Sequence, residues 1–324
     1  MTRMVFEARH ILITGSAGYL ATNLIAQLQD TDCRITRLGR PGARFTPLTG
    51  KAQVVDIEGD IRDRAVWETA LANVDIVFHF AAQTSVYVAE QNPSADLDIN
   101  VVPMLHLLEI CRAKGICPTI LFSGTVTEMG LPVSLPVDES HPDHPITVYD
   151  LHKWMAEKYL EYYTGTGIVR GCVLRLANVY GPGPRSSSAD RGILNMMIRK
   201  AIQGETLTVY GNGNYSRDYI YIEDVVRAFL AAAGIECVNG QHFVIGSGQG
   251  STVAQAINLV ADRVEKKTGQ RAPVVHVDPP ASLSPIEERN FVADSTRFTQ
   301  ATGWKASVSL IEGIDRTVDY FLND

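Results

Sequence analysis

This chain of 324 residues has no apolar run approaching the ~20 residues that a membrane helix needs. It has no low-complexity tract and no internal repeat, which excludes linker-type disorder and solenoid architectures. Its five cysteines (Cys33, Cys111, Cys117, Cys172, Cys237) are scattered, with no metal-type pairing. An odd, unclustered set excludes a disulfide framework and suits a reducing compartment. His141 and His144 lie in a proline-rich loop without partners at ligand spacing, so no metal is expected. The net charge of −7 argues against a general nucleic-acid binder, although it leaves room for a local basic pocket for phosphate. Met1 to His10 is too polar for a signal peptide, so the expected location is cytoplasmic, with no membrane partner. What is present is 45% hydrophobic residues against 20% charged ones, enough for a large core in one domain or two interlocked ones.

Short apolar runs alternate with helical patterns along the first half. Strands are expected at His10 to Thr14, Cys33 to Leu38, Gln53 to Val55, Asp75 to Phe80, Thr119 to Ser123 and Gly171 to Leu176. Helices are expected after Gly18, over Pro93 to Cys111, and from Tyr149 to about Tyr163. Unbroken apolar strands alternating with helices predict an α/β fold, a doubly wound parallel sheet covered on both faces. Ligands of such sheets bind beyond the carboxyl ends of the strands. After Asn178 the elements shorten between Gly-, Pro- and Ser-rich stretches, and Gln241 to Gly246 reads as a strand returning to the sheet. The expected division is a dinucleotide-binding domain over 1–177, with 222–246 returning to it. A smaller interleaved substrate lobe would comprise 178–221 and 247–324.

Thr14-Gly15-Ser16-Ala17-Gly18-Tyr19-Leu20-Ala21 follows the first strand and opens a helix. Gly15 permits a tight turn, Gly18 allows close approach of a pyrophosphate to the helix N-terminus, and Ala21 keeps helix and sheet close. An acid about 24 residues after the first glycine would bind a free ribose 2′-hydroxyl. Gly39 stands there instead, with Arg37 before it and Arg40 after. With no carboxylate to repel a 2′-phosphate and a guanidinium to bind one, NADP is favoured, with NAD as the alternative. Otherwise Arg37 and Arg40 are solvated loop charges. Asp60 either accepts from the adenine amine or caps the next helix.

Tyr149 and Lys153 lie four apart in a helical segment and share one face. Free tyrosine has a pKa of about 10, too high for a base near neutrality. A neighbouring ammonium favours the phenolate and lowers that value. Thr125, at the end of a buried strand, places a hydroxyl where a substrate oxygen changes charge, or simply ends the strand in a turn. Arg217 and Arg289 are guanidinium candidates for a diphosphate, or surface ion pairs. His79 reads as a buried packing residue and His152 as a supporting or surface residue. Tyr159, Tyr162 and Tyr163 read as core or a subunit interface.

Taken in order, these motifs resemble the extended short-chain dehydrogenase/reductase family, in its nucleotide-sugar epimerase and dehydratase branch. Its marks are Thr14-Gly15-x-x-Gly18, Gly59-Asp60, His79-Phe80-Ala81-Ala82, Asn100-Val101 and Tyr149-x-x-x-Lys153. Further marks are Arg175-Leu176-x-Asn178-Val179-Tyr180-Gly181-Pro182-Gly183, Val209-Tyr210-Gly211-x-Gly213, Arg217-Asp218 and Thr302-Gly303-Trp304. The resemblance implies a Rossmann sheet and catalysis by Thr125, Tyr149 and Lys153 at a sugar C4 hydroxyl. It implies cofactor contacts from Gly15, Gly18, Asp60, Ala81, Asn100, Tyr149 and Lys153; Ala17, Tyr19, Leu20, Ile61 and Ala82 are expected beside them, and Gly39 and Arg40, which depart from the NAD-type acid of the family, at the ribose. Substrate contacts are implied for Thr84, Asn178, Tyr210, Arg217 and Arg289, and a homodimer through the helices near Asn100 to Cys111 and Tyr149 to Tyr163. Sugar 4,6-dehydratases of the branch carry an acidic pair directly after the threonine. Here Val126 and Thr127 follow, with Glu128 one place beyond, and Met129 stands where a tyrosine is usual. That departure points to a 4-epimerase of a nucleotide-diphospho-sugar, with an NADP-dependent 4-ketoreductase as the alternative and a non-catalytic dinucleotide sensor as the third reading. Base and sugar are set by pocket loops, notably Pro184 to Gly192.

Overall fold

The computed structural model describes residues 5–184 and 192–323, so most of the Pro184 to Gly192 loop lies outside the described residues. The first half runs β1 (His10–Thr14), α1 (Tyr19–Leu28), β2 (Arg34–Gly39), β3 (Gln53–Glu58), α2 (Arg64–Ala70) and β4 (Ile76–His79). It continues through α3 (Val86–Gln91), α4 (Pro93–Asn100), α5 (Val102–Lys114), β5 (Thr119–Thr125), α6 (Val148–Gly165) and β6 (Arg170–Leu176). The six strands and β10 (His242–Ile245) pair in parallel in the order β10-β6-β5-β4-β1-β2-β3. From β1 the chain moves outward to β2 and β3, then returns to place β4 on the other side of β1. The crevice of a doubly wound sheet opens at that reversal.

Burial explains the unbroken apolar strands. Every residue of β1 and β4 is buried, because helices cover both faces. Alternate side chains enter different cores. Ile11, Ile13, Phe78 and Leu121 join the core shared with α1. Leu12, Val77, Ile120 and Phe122 join the opposite one, with Trp67 of α2 and Leu107 of α5.

The single helix expected over Pro93 to Cys111 is two. Pro103 falls in the first turn of α5, where its missing N–H is tolerated. In mid-helix its ring would clash with the preceding turn, so α4 ends at Asn100 and the chain restarts past Val101. The break leaves the Asn100 side chain facing the β4–α3 connection.

The remaining elements are β7 (Asn178–Tyr180), α7 (Ile193–Ile202), β8 (Leu207–Tyr210), β9 (Ser216–Tyr221), α8 (Ile222–Ala232), β10 (His242–Ile245) and β11 (Gly250–Thr252). After them come α9 (Val253–Thr268), β12 (Val274–Val277), α10 (Thr296–Thr302) and α11 (Leu310–Asn323). β10 pairs with β6 at the edge of the main sheet. β11, β9 and β7 form a second sheet, and β12 pairs with β8 in a third. Among the described residues, no helix is long and apolar enough to cross a membrane, and no group of three His, Cys, Asp or Glu side chains could hold a metal ion.

Candidate active site

The carboxyl ends of β1 and β4 are welded by one hydroxyl. Thr14 Oγ1 accepts the N–H groups of Phe80 and Ala81, both at 3.1 Å, and lies 2.8 Å from His79 Nδ1. With both lone pairs engaged, the threonine donates to Nδ1, which leaves the imidazole proton on Nε2. Burial, with the Lys153 charge adding, pushes the His79 pKa down to about 3, so the ring is neutral and structural. Gly15 follows at φ +63°, and a Cβ there would lie 2.8 Å from Ala81 N. Conformation and packing thus both require glycine.

The turn leads into a helix that its own side chains leave open. Asp63, Ser85, Asn92 and Thr147 cap α2, α3, α4 and α6. Gly18 before α1 supplies no side-chain cap, and the first turn of α1 carries no acid. Its N–H groups and positive dipole end can take an anion. Ser16 Oγ, inside the turn, is buried without a hydrogen-bond partner. A cradle closed to any Cβ, uncapped N–H groups and an orphaned hydroxyl fit the pyrophosphate of a dinucleotide. Ala17 and Leu20 are half-buried around it. Tyr19 turns away from the turn and donates to Gly181 O at 3.0 Å, tying α1 to the segment after β7.

The next strands decide which dinucleotide fits. Arg37 is buried, donates bidentately to Asp56 (2.6 and 2.8 Å) and also to Thr46 O at 2.6 Å. It is therefore neither a solvated loop charge nor available to a 2′-phosphate, as the sequence had suggested. Arg40 is exposed. Glu58 pairs in register with Gly39, and its carboxylate accepts the Gly42 N–H at 3.0 Å. Asp60 does not cap α2, which Asp63 does. Asp60 instead grips Arg62 through Nε (3.0 Å) and Nη2 (2.5 Å), which holds its carboxyl below the usual range. Ile61 follows and accepts the Trp67 indole N–H through its carbonyl.

Beyond β4, Ala81, Ala82 and Thr84 are half-buried. Asn100 is fully engaged as a brace. Its Oδ1 accepts Gln83 N–H at 3.1 Å, and its Nδ2 donates to Gln83 O and Asp96 Oδ1, both at 3.0 Å. Asp96 also accepts from His152 Nδ1 at 2.7 Å, so His152 is a buried tie between α4 and α6.

Helix α6 begins with Thr147 accepting the Asp150 N–H at 3.2 Å. The Tyr149 ring is buried among Val86, Ala89 and Ile286. Lys153, one turn on, is 2% exposed, with its ammonium 3.9 Å over the Phe122 ring. Burial lowers its pKa to about 8, while the charges of Glu128, Asp96 and Glu157 hold it up. Phe122 stacks on His79, whose Nδ1 meets Thr14. An unbroken series of contacts therefore joins the Lys153 ammonium to the glycine turn.

Thr125 ends β5 and opens a 3₁₀ turn over Val126–Met129, in a capping box with Glu128. Glu128 Oε1 accepts the Thr125 N–H at 2.9 Å. Glu128 is fully buried, and burial, with Glu157 nearby, raises its pKa well above that of an ordinary carboxyl. Arg175 lies between the two, with Nε 3.2 Å from Glu128 Oε2 and Nη2 2.6 Å from Glu157 Oε1, and it also pairs with Asp143 at 2.5 Å. Arg175, by contrast, holds the Glu157 carboxyl below its usual range against the cost of burial.

Asn178, Arg217 and Arg289 come together. Arg289 Nη2 donates to Asn178 Oδ1 at 3.3 Å and Nη1 to Ile286 O at 2.9 Å. Arg217 donates to Glu287 O at 2.7 Å and to Arg289 O. Each arginine also lies near the partly exposed Glu287 carboxylate, at 3.8 Å from Arg217 and 3.9 Å from Arg289. Both are buried, and together they hold residues 286–289, including the isoleucine that covers Tyr149. Tyr210 ends β8 in the two-stranded sheet and is half exposed. Of the aromatic cluster on α6, Tyr163 is buried and Tyr162 is exposed.

Sequence reading missed Thr127, Asp150 and the carboxyls around Arg175. Thr127 donates to Asp150 and pairs with Thr125. The available signal was an acid directly after Tyr149, which by itself looks like an ordinary first-turn helix residue.

A "Putative UDP-glucose 4-epimerase" of Methanocaldococcus jannaschii is 29% identical over 316 residues, covering 97% of this chain and 99% of that protein. The crystal structure of the Thermotoga maritima UDP-glucose 4-epimerase with UDP-glucose superposes with a TM-score of 0.86 at 31% identity, covering 97% of this chain and 99% of the other. The Thermus thermophilus UDP-glucose 4-epimerase in complex with NAD superposes with a TM-score of 0.81 at 27% identity, over the same shares. The model of the NAD dependent epimerase/dehydratase family matches residues 11–246, and the chain belongs to that family.

Proposed function

We propose that this protein is a nucleotide-diphospho-sugar 4-epimerase, acting on a UDP-hexose through a 4-keto intermediate. The observation that carries the proposal is the buried Lys153, one helical turn from Tyr149 and joined through Phe122 and His79 to an uncapped glycine turn, in a chain similar end to end to UDP-glucose 4-epimerases. The glycine turn would hold the pyrophosphate, and Asp60 and Ile61 the adenosine. Lys153 would hold the nicotinamide ribose, beside Ala81 and Ala82. When bound, the nicotinamide supplies the acceptor and donor of hydride. Tyr149 takes the C4 hydroxyl proton and later returns it, a role typically worth ~10²–10⁴ in rate. The Lys153 charge keeps that phenol acidic. Arg217, Arg289 and Asn178 retain the diphosphate while the sugar turns. In this division of labour residues 1–177 and 222–246 hold the dinucleotide, and 178–221 and 247–324 the substrate. Five free thiols fit a cytoplasmic setting. Leu151 and Tyr162, exposed on α6, suit a homodimer face.

For the cofactor, the Arg37–Asp56 pair takes Arg37 out of reach, and the Glu58 carboxylate, on the strand paired with β2, accepts the Gly42 N–H. This supports NAD. The exposed Arg40 supports NADP, and with it the ketoreductase reading. Incubating the protein with UDP-galactose and following UDP-glucose by NMR tests the proposal. Interconversion without added cofactor, by protein that carries NAD through purification, is expected. Inert UDP-hexoses together with NADPH-dependent reduction of a 4-keto sugar would replace it with the reductase.

A further inference from the structure

Thr125 is the first member of a chain. Its Oγ1 lies 2.8 Å from Thr127 Oγ1, and Thr127 donates to Asp150 Oδ1 at 2.5 Å. Asp150 is completely buried in the first turn of α6, where the helix dipole favours a carboxylate. An ionised carboxylate only accepts, so the Thr127 proton is committed to it. Thr127 then accepts from Thr125, because each hydroxyl has one proton. Thr125 also accepts the Thr127 N–H at 3.3 Å, which leaves it one lone pair and no proton to offer the crevice. Direction is thus imposed on the strand-end hydroxyl from the far end, by a residue adjacent to Tyr149.

We propose that Thr125, Thr127 and Asp150 form a second proton route for the reaction, parallel to Tyr149. The proposal rests on the epimerase reading above. As the C4 carbinol is oxidised, its hydroxyl proton passes to Thr125 Oγ1, the Thr125 proton to Thr127 Oγ1, and the Thr127 proton to Asp150 Oδ1. Asp150 ends as a neutral acid. The C4 hydrogen leaves with its electron pair to an oxidised nicotinamide, and the C4–O bond becomes a carbonyl. All the hydrogen bonds in the chain then reverse, so that Thr125 donates to the carbonyl oxygen. Reduction from the other face restores every proton, and the cycle is balanced. The chain therefore meets both needs of the site, an acceptor for the alcohol and a donor for the ketone.

The test is epimerisation of UDP-galactose by the holoenzyme, comparing wild type with Tyr149→Phe, Thr127→Val, Thr127→Ser and Asp150→Asn, alone and in the Tyr149→Phe background. Tyr149→Phe should keep slow turnover. Adding Asp150→Asn or Thr127→Val should lower kcat at least about tenfold further, the scale of one committed hydrogen bond, with KM unchanged. Thr127→Ser should restore the rate, and with Tyr149 present the same changes should cost less. If Asp150→Asn fails to fold, Thr127→Val, which keeps the shape, carries the test. Double variants as active as Tyr149→Phe alone, complete inactivity of Tyr149→Phe, or losses confined to KM would overturn the route and leave Asp150 a brace. A wild type that turns over no UDP-hexose would overturn the epimerase reading and this inference together.

Discussion

Two ends of one crevice are built by opposite means. At the β1–α1 turn the backbone carries the chemistry, through a positive-φ glycine, a helix start left uncapped and a serine hydroxyl without a partner. At β5 and α6 side chains carry it, through a buried ammonium, a hydroxyl chain and a guanidinium held by carboxyls. In the proposed function the first end serves as an anion cradle that needs no titrating group. The second would exchange protons, and its groups have partners that shift their ionisation. A dinucleotide that stays bound and a sugar that reacts make these different demands.

The comparison is best broken where the charges are deepest. Arg175→Met would take the guanidinium from the buried carboxyls of Glu157 and Glu128, leaving Lys158 and His242 each 3.5 Å from Glu157, and the expected cost is about 3–5 kcal/mol in denaturant unfolding. A cost near zero would mean that the network does not hold the side-chain end. Gly15→Ala attacks the other end, forcing a Cβ against Ala81 at positive φ. The strain expected is about 1–3 kcal/mol, and fluorescence titration with NAD should show dinucleotide binding falling well before the fold is lost. Unchanged NAD affinity would contradict the cradle. The smallest effect sharpens the contrast through pH. Lys153 is charged below about 8 and loses its proton above that value. The phenolate therefore loses its support as pH rises, and kcat should show an alkaline limb near pH 8. Lys153→Arg, which stays charged, should move the limb upward while lowering the rate, because a planar fork does not replace a compact ammonium. A limb that stays in place would belong to another group.

The same contrast explains how much the sequence could tell. The parallel sheet and the glycine turn were legible, because apolar strands and turn glycines are local signals. Tyr149 and Lys153 were legible because they are one helical turn apart. Asp150 meets Thr127, and His152 meets Asp96, across 23 and 56 residues of chain, so no local spacing marks them. Arg37 misled for the same reason. As a lone cation near the end of β2 it looked free, but its partner Asp56 sits on the neighbouring strand. The break before α5 turned on a single proline. Burial of Arg217 depends on residues 286–289 packing back on β9 from about 70 residues away, which periodicity does not report.

The ionisation of Tyr149 is the most direct measure of the whole account. Proteins labelled with ¹³C at the tyrosine phenol carbon, wild type and Tyr149→Phe, both with bound NAD, would be titrated by NMR. The account predicts one resonance, absent from the variant, that titrates at least one unit below the ordinary tyrosine value of about 10 and moves back up in Lys153→Met. A Tyr149 phenol that titrates at or above the ordinary value in the holoenzyme, indifferent to Lys153, would contradict it.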